Sequence, residues 1–276
     1  AIIEQAKRVK RGLMQKVFVY GLDAEGNIRN PEESLDNFKN LDLGGFEERL
    51  MEKGKVPESW RYLPLRECLS EFISGAAISS GEFSDEGFPV VAKGDVTDDE
   101  VIDLTSDRQH VPVETAQKYS GSVVDSSYVV VSLRDLVPSA PTVGSASFVD
   151  AEGQFLLAQG AYGLLLKEEK LDPKFFVTLT RCHYFRSYMK RMAVGSTQVH
   201  VRSSEYKTMR IPLPPIDEQK RISALFEVID GQKRNAQSRV LNLKNLKQGL
   251  MQDLLTGEVR AADKAIEVLE EVEAHG

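Results

Sequence analysis

The run Lys190-Arg191-Met192-Ala193-Val194-Gly195-Ser196-Thr197-Gln198-Val199-His200-Val201-Arg202 gathers the side-chain types that hold phosphate and read base edges. Lysine and arginine give charge-assisted bonds to phosphate oxygens. Glutamine matches adenine bidentately, as arginine matches guanine. A glycine lets backbone approach a ligand closely. On that chemistry Lys190, Arg191 and Arg202 are expected to hold phosphates. Thr197 and Gln198 would lie at the base-reading surface, with Gly195, Ser196 and His200 in the same segment. Residues 195–198 also read as a turn that ends a helix and starts a strand, and the residue types alone do not choose. A second candidate group, Lys93 and Arg108 with His110, falls on loops between expected strands.

Signatures of catalysis are missing. There is no G-x-x-x-x-G-K-[ST] phosphate loop, no G-x-G-x-x-G between a strand and a helix, and no Asn-Pro-Pro-Tyr-like run. Leu213-Pro214-Pro215-Ile216 lacks the amide and the aromatic of that last motif. His110, His183, His200 and His275 show no metal-ligand spacing with cysteine or with each other. Ser196 has no G-x-S-x-G around it. The chain is therefore expected to be non-enzymatic, with no cofactor or metal of its own.

A formal charge of −7 and a pI near 5.3 argue, taken globally, against a nucleic-acid binder. The distribution argues the other way. Between Arg181 and Arg210 stand seven basic residues against one acid, Glu205. The acids gather at 95–107, 23–58 and 263–273. Phosphate binding depends on the lysines and arginines at the contact, so local charge decides. A solvated basic face would show the same segregation.

The elements that must position these groups read as α+β. Short apolar runs rich in β-branched and aromatic residues, at 88–92, 127–132, 145–149, 154–158 and 161–166, predict strands. Residues 173–192 predict one helix opened by Pro173, with Phe176, Leu179, Tyr184, Tyr188 and Met192 at helical spacing. Residues 1–20 read as the end of a helix and 21–55 as a polar linker with a short helix near 46–51. A globular domain follows over 56–210.

Three prolines in Pro212-Leu213-Pro214-Pro215 force an extended connector. Asp217 is then a candidate N-cap for a proline-free helix, so that 211–258 form a long spacer and 259–276 an acidic tail. Ile222, Ile229, Ala236, Leu243 and Leu250 recur every seven residues, with Phe226, Val240 and Leu254 four residues after three of them. That is a coiled-coil seam, and a seam needs a partner helix. Lys10-Arg11-Gly12-Leu13-Met14-Gln15 recurs as Lys247-Gln248-Gly249-Leu250-Met251-Gln252. The recurrence points to two related helical spacers flanking one module.

The segment 211–222 (IPLPPIDEQKRI) and the helix end 246–257 (LKQGLMQDLLTG), with Pro57-Glu58-Ser59-Trp60 and Gly195-Ser196-Thr197-Gln198, resemble the specificity subunit of type I restriction–modification systems. The resemblance covers 56–260, and 2–19 look like the end of the same spacer helix. It implies a target-recognition domain that reads double-stranded DNA. It also implies a methyltransferase subunit, bringing S-adenosylmethionine, docked on the long helices, and an ATP-driven restriction/translocase subunit. Family members carry two such domains alternating with two spacers; this chain has one domain, one complete helix and the tail of another. A homodimer through the long helix would restore two domains and read a symmetric site. Alternatively, a second chain supplies the other half.

The rival expectation is a protein–protein adaptor with a coiled-coil spacer, which the acidic pI favours. No apolar run reaches 18 residues and no apolar leader opens the chain, so a cytoplasmic protein without a membrane anchor is expected. Cys68 and Cys182, a lone and widely separated pair, are expected as buried free thiols.

Overall fold

The valine-rich runs pair as two sheets in a computed structural model of the chain. Five strands lie in the order Leu69–Ser74, Ala161–Leu166, Val129–Ser132, Ala146–Asp150, Val101–Asp103. All neighbours are antiparallel except the last pair. Four strands form the second sheet, in the order His110–Val111, Phe88–Val91, Gln154–Leu157, Val123–Asp125, with a parallel central pair. The structure describes residues 2–30, 38–40, 55–104, 108–135, 139–150, 152–196 and 198–256. The expected helix near 46–51 and the acidic tail lie outside them. The chain divides into two units, residues 11–226 and residues 1–10 with 227–276.

Side chains alternate across a strand, and here the alternation fills two cores. Phe155 and Leu157 join Val91, Val124, Val130 and Val149 in one cluster. Leu156, pointing the other way, joins Val90, Val111 and Ala116 in a second. The Gln154–Leu157 strand is thus apolar on both faces, which is why its sequence runs apolar without polar interruption. The sheets meet at Gly160, a corner held at φ +96°.

The expected helix over 173–192 is two helices, Pro173–Leu179 and His183–Met192. Asp172 caps the first through Phe175 N–H, with Pro173 in its first turn. The break has a side-chain cause. Thr180 Oγ1 donates to the Val177 carbonyl and accepts from Ala146 N–H, while Arg181 also donates to Val177. These bonds compete with the helical ladder at the point where it stops.

The proline-rich segment is extended, as expected. Arg210–Leu213 pairs antiparallel with Arg61–Pro64 in a two-stranded ribbon, where a proline costs little because no further strand needs its missing N–H. The long helix runs Ile216–Thr256, two residues earlier than an N-cap at Asp217 requires. Its first turn is an anchor. Buried Glu218 accepts from Leu22 N–H at 2.9 Å, from Trp60 Nε1 at 3.1 Å, and from both Arg29 Nη atoms at 2.6 and 3.0 Å. Gln219 accepts from Asp172 N–H and donates to the Lys170 and Pro214 carbonyls, each at 2.9 Å. The Glu-Gln and Pro-Glu-Ser-Trp motifs are therefore one hydrogen-bonded lock.

Gly21 completes it. At φ +70°, a Cβ there would stand 2.3 Å from both Arg29 Nη1 and Glu218 Oε1. Residues 21–30, expected within a linker, are thus tied to the domain, and Phe38–Asn40 pairs with Lys55–Pro57. A polar, turn-rich composition marked them as loop; buried Leu22 and the Arg29–Glu218 pair hold them in place.

In the larger unit, the C-terminal half of the Ile2–Tyr20 helix buries Met14, Val17 and Phe18, and Phe18 meets Phe226 and Phe175 at ring distances of 6.0 and 5.6 Å. In the smaller unit, Lys10 Nζ and Asp230 Oδ2 form an ion pair at 2.5 Å. No helix among the described residues is long and apolar enough to cross a membrane.

Candidate nucleic-acid interface

A seven-residue turn carries the first group of candidate residues. Val194 and His200 exchange backbone hydrogen bonds of 2.9 and 3.0 Å, closing the turn at its base. Gly195 has φ +123°, and a Cβ there would lie 2.0 Å from the Gln198 carbonyl oxygen, so only glycine fits. Val199 and Val201 are buried and root the segment, whereas Ser196, Gln198 and His200 are exposed. The two readings of this stretch coincide: it is a tight turn, and the turn presents the polar side chains. Thr197 lies outside the described residues.

The turn is joined to the sheets by backbone. Val199–His200 pairs antiparallel with Arg134–Asp135, placing Arg134 opposite His200. Val201 N–H donates to Leu133, and Leu133 N–H to Gly160. Against Gly160 lie two cationic stems: a Cβ built there would be 3.1 Å from Lys93 Cδ and 3.3 Å from Arg134 Cδ. Lys93, from the second candidate group, is thereby brought beside the Val194–Arg202 segment. Neither Lys93 nor Arg134 has an ion-pair partner among the described residues. Sequence reading missed Arg134. Its only signal was a cation closing the apolar run Val129–Leu133, a place where side chains emerge from a sheet.

The neighbouring acids are turned inward. Asp95 accepts from Ala92 N–H at 2.7 Å and pairs with Arg108 at 3.0 Å. Asp135 accepts from Thr142 N–H and Oγ1 at 3.0 and 2.9 Å. Arg108, also expected at the DNA surface, is held within the fold. Its guanidinium is mostly covered, bonding Asp95 and the Asp103 carbonyl, so it braces the 93–95 turn from inside. His110 is half-buried in the edge strand of the four-stranded sheet, with Nδ1 enclosed and unbonded.

The basic run is likewise not one solvated face. Arg181 donates to the carbonyls of Asp98, Ala146, Val177 and Asp99. Arg186 donates to those of Val143, Ala140 and Pro141, and burial lowers its pKa. Buried Tyr206 donates to the Gly144 carbonyl of the same loop. Lys207 sits 5.0 Å over the Phe72 ring, and Arg202 pairs with Glu205 at 3.3 Å. Lys190 and Arg191 stand exposed on the last turn of the His183–Met192 helix, next to the reading turn.

The seam residues separate by burial. Ile222 and Phe226, expected to meet a partner helix, are buried in the domain's own core, because the first turns of the long helix pack where Phe18 and Phe175 lie. Ile229, Ala236 and Leu250 are half-buried, while Val240 and Leu243 are 42% and 60% exposed. The Leu254 side chain lies outside the description. Cys68 and Cys182 are free and buried, with thiol pKa values pushed up to about 11 and about 12, first by burial. Among the described residues no cluster of histidine, cysteine, aspartate or glutamate could hold a metal ion.

Comparison with known proteins gives the family and the fold. Residues 57–243 match the family model described as type I restriction modification DNA specificity domain. The chain is 24% identical over 259 residues to the type I restriction enzyme MjaVIII specificity subunit of Methanocaldococcus jannaschii, covering 94% of this chain and 55% of that one. It is 23% identical over 221 residues to the EcoKI specificity subunit of Escherichia coli K12, covering 76% and 44%. Its fold resembles the crystal structure of the HsdS subunit from Thermoanaerobacter tengcongensis, with a TM-score of 0.52 at 20% identity, over 94% of this chain and 54% of that one. The chain spans about half the length of the relatives it matches. With the family model covering most of its length, this chain belongs to the type I restriction modification DNA specificity domain family.

Proposed function

We propose that this chain is the sequence-reading part of a type I restriction–modification assembly, binding double-stranded DNA through the Val194–His200 turn and the cations around it. The observation that carries the reading is that turn: its base is closed by backbone bonds, its bend admits only glycine, and it offers Gln198 and His200 to solvent near Lys93 and Arg134, which have no ion-pair partner among the described residues. Phosphate contacts set position and base-edge contacts set sequence, so a rigid polar turn flanked by cations has both parts. The chain itself supplies no catalysis. S-adenosylmethionine would belong to a methyltransferase subunit and ATP to a restriction/translocase subunit, in the cytoplasm. Exposed Val240 and Leu243 leave the far part of the long helix a surface for such a subunit or for a second copy. An adaptor without DNA binding would not require a glycine-locked turn displaying glutamine.

The test is enrichment of randomised duplex DNA on the purified chain, alone and with its methyltransferase subunit, while light scattering reports its mass. An enriched sequence is expected. Replacing Gln198 with alanine should change that sequence, and Lys190→Ala should weaken binding to every duplex and lower the salt slope by about one unit. Indifference to sequence in every setting, with uniform loss on Gln198→Ala, would sink the reading. A stable dimer would predict a palindromic bipartite target.

A further inference from the structure

We infer that Lys93 and Arg134, converging over the backbone of Gly160, form a two-pronged clamp for one phosphate group. The inference rests on the DNA-reading function above and deepens it by naming a contact outside the basic run. Lys93 comes from the short turn 93–95 and Arg134 from the strand opposite His200. Nothing in sequence joins them; the Gly160 corner does. A Cβ at Gly160 would crowd both stems, at 3.1 and 3.3 Å from their Cδ atoms, so the glycine is what lets the stems settle against the main chain.

The stems of both cations lie against one glycine, and neither cation has an ion-pair partner among the described residues, so each is open to a charge-assisted bond with an anion. Here the nearest acids in sequence are withdrawn. Asp95 serves Ala92 N–H and Arg108, and Asp135 serves Thr142. That leaves the two cations available to an anion from outside. A divalent, compact oxyanion accepts from a lysine and an arginine at once, and a phosphodiester does the same with one charge. The neighbouring turn with Gln198 and His200 makes a duplex backbone the source we assign. On that geometry the clamp fixes the register from which the turn reads.

The experiment uses the full chain with Lys93→Gln, Arg134→Gln and the double variant, which keep side-chain bulk over Gly160 and remove only charge. Binding of a fluorescent random-sequence 30-base-pair duplex is followed by anisotropy from low to high salt. Each single change should flatten the slope of log affinity against log salt by about 0.9, and the double by about 1.8. At about 0.1 M salt that is roughly a five- to tenfold loss per cation. Lys118→Gln, whose cation is already paired with Glu82, should leave the slope unchanged. Unchanged slopes in folded Lys93 and Arg134 variants would overturn the clamp while leaving DNA reading intact. If the parent chain binds no duplex either alone or with its methyltransferase subunit, the reading function fails, and the clamp is judged on inorganic phosphate by calorimetry. Binding abolished in the double variant would then keep the clamp with a free anion as its occupant, and equal or absent binding in both proteins would overturn it.

Discussion

Replacing Glu218 with glutamine keeps the shape of the side chain and removes its charge, turning one acceptor oxygen into a donor amide. In the native lock both oxygens are used: Oε1 accepts from Leu22 N–H, Trp60 Nε1 and Arg29 Nη1, and Oε2 accepts from Arg29 Nη2. Glutamine can keep Leu22 and Trp60 satisfied only by aiming its NH2 group at the Arg29 guanidinium. Loss of a charge-assisted pair at a site this buried, with a cation left facing a donor, should cost about 2–4 kcal/mol. For a unit of this size each kcal/mol moves the melting temperature by about 2–4 °C, so a fall of roughly 5–15 °C is expected in calorimetry. The double variant with Arg29→Met should recover part of the loss, since the stranded cation goes with its partner. A fall below about 2 °C, or strictly additive losses, would refute the view that these two motifs form one electrostatic lock.

Gly195→Ala places a Cβ against the Gln198 carbonyl at positive φ, so the turn must rearrange; sequence preference in the duplex enrichment should be lost with a change of only a few degrees in melting temperature. Arg186→Met leaves the Ala140, Pro141 and Val143 carbonyls unbonded and should destabilise the fold by about 2–4 kcal/mol, with no change in the salt slope of DNA binding in the folded fraction. Cys68 and Cys182, with raised thiol pKa values and buried sulfurs, should resist alkylation at pH 8 in the native protein and react on unfolding. Because their folded pKa values lie above the unfolded value near 9, the unfolded state loses these protons first. Their contribution to stability is therefore full below about pH 9 and falls as pH rises to about 11 for Cys68 and about 12 for Cys182, which denaturant melts against Cys→Ser variants would read.

Local patterns were legible because their causes are local. The strand runs, Pro173 at a helix start and the extended proline segment depend on backbone preference and neighbouring side chains, and they stand close to where the sequence put them. The 173–192 helix failed as one piece because its break comes from Thr180 and Arg181 bonding across to Ala146, a contact between distant segments that periodicity does not register.

The candidate site divides the same way. Residue types alone marked the Val194–Arg202 segment, and the glycine in it predicted close backbone approach. Which cations face solvent was decided only in three dimensions. Arg108, Arg181 and Arg186 are indistinguishable in sequence from Lys190 or Arg202, yet they are drawn into the domain by carbonyls and a carboxylate that long-range packing presents. Ile222 and Phe226 share the heptad of Leu243, yet they are buried in the domain's own core while Leu243 stays exposed. Lys93 and Arg134 meet only because two sheets share the corner at Gly160. Sequence by itself determined the elements, the family motifs and the chemistry on offer, since each follows from short-range preference. The tertiary structure decided which charges are spent inside and which remain for a partner, because desolvation and pairing depend on what the fold brings near.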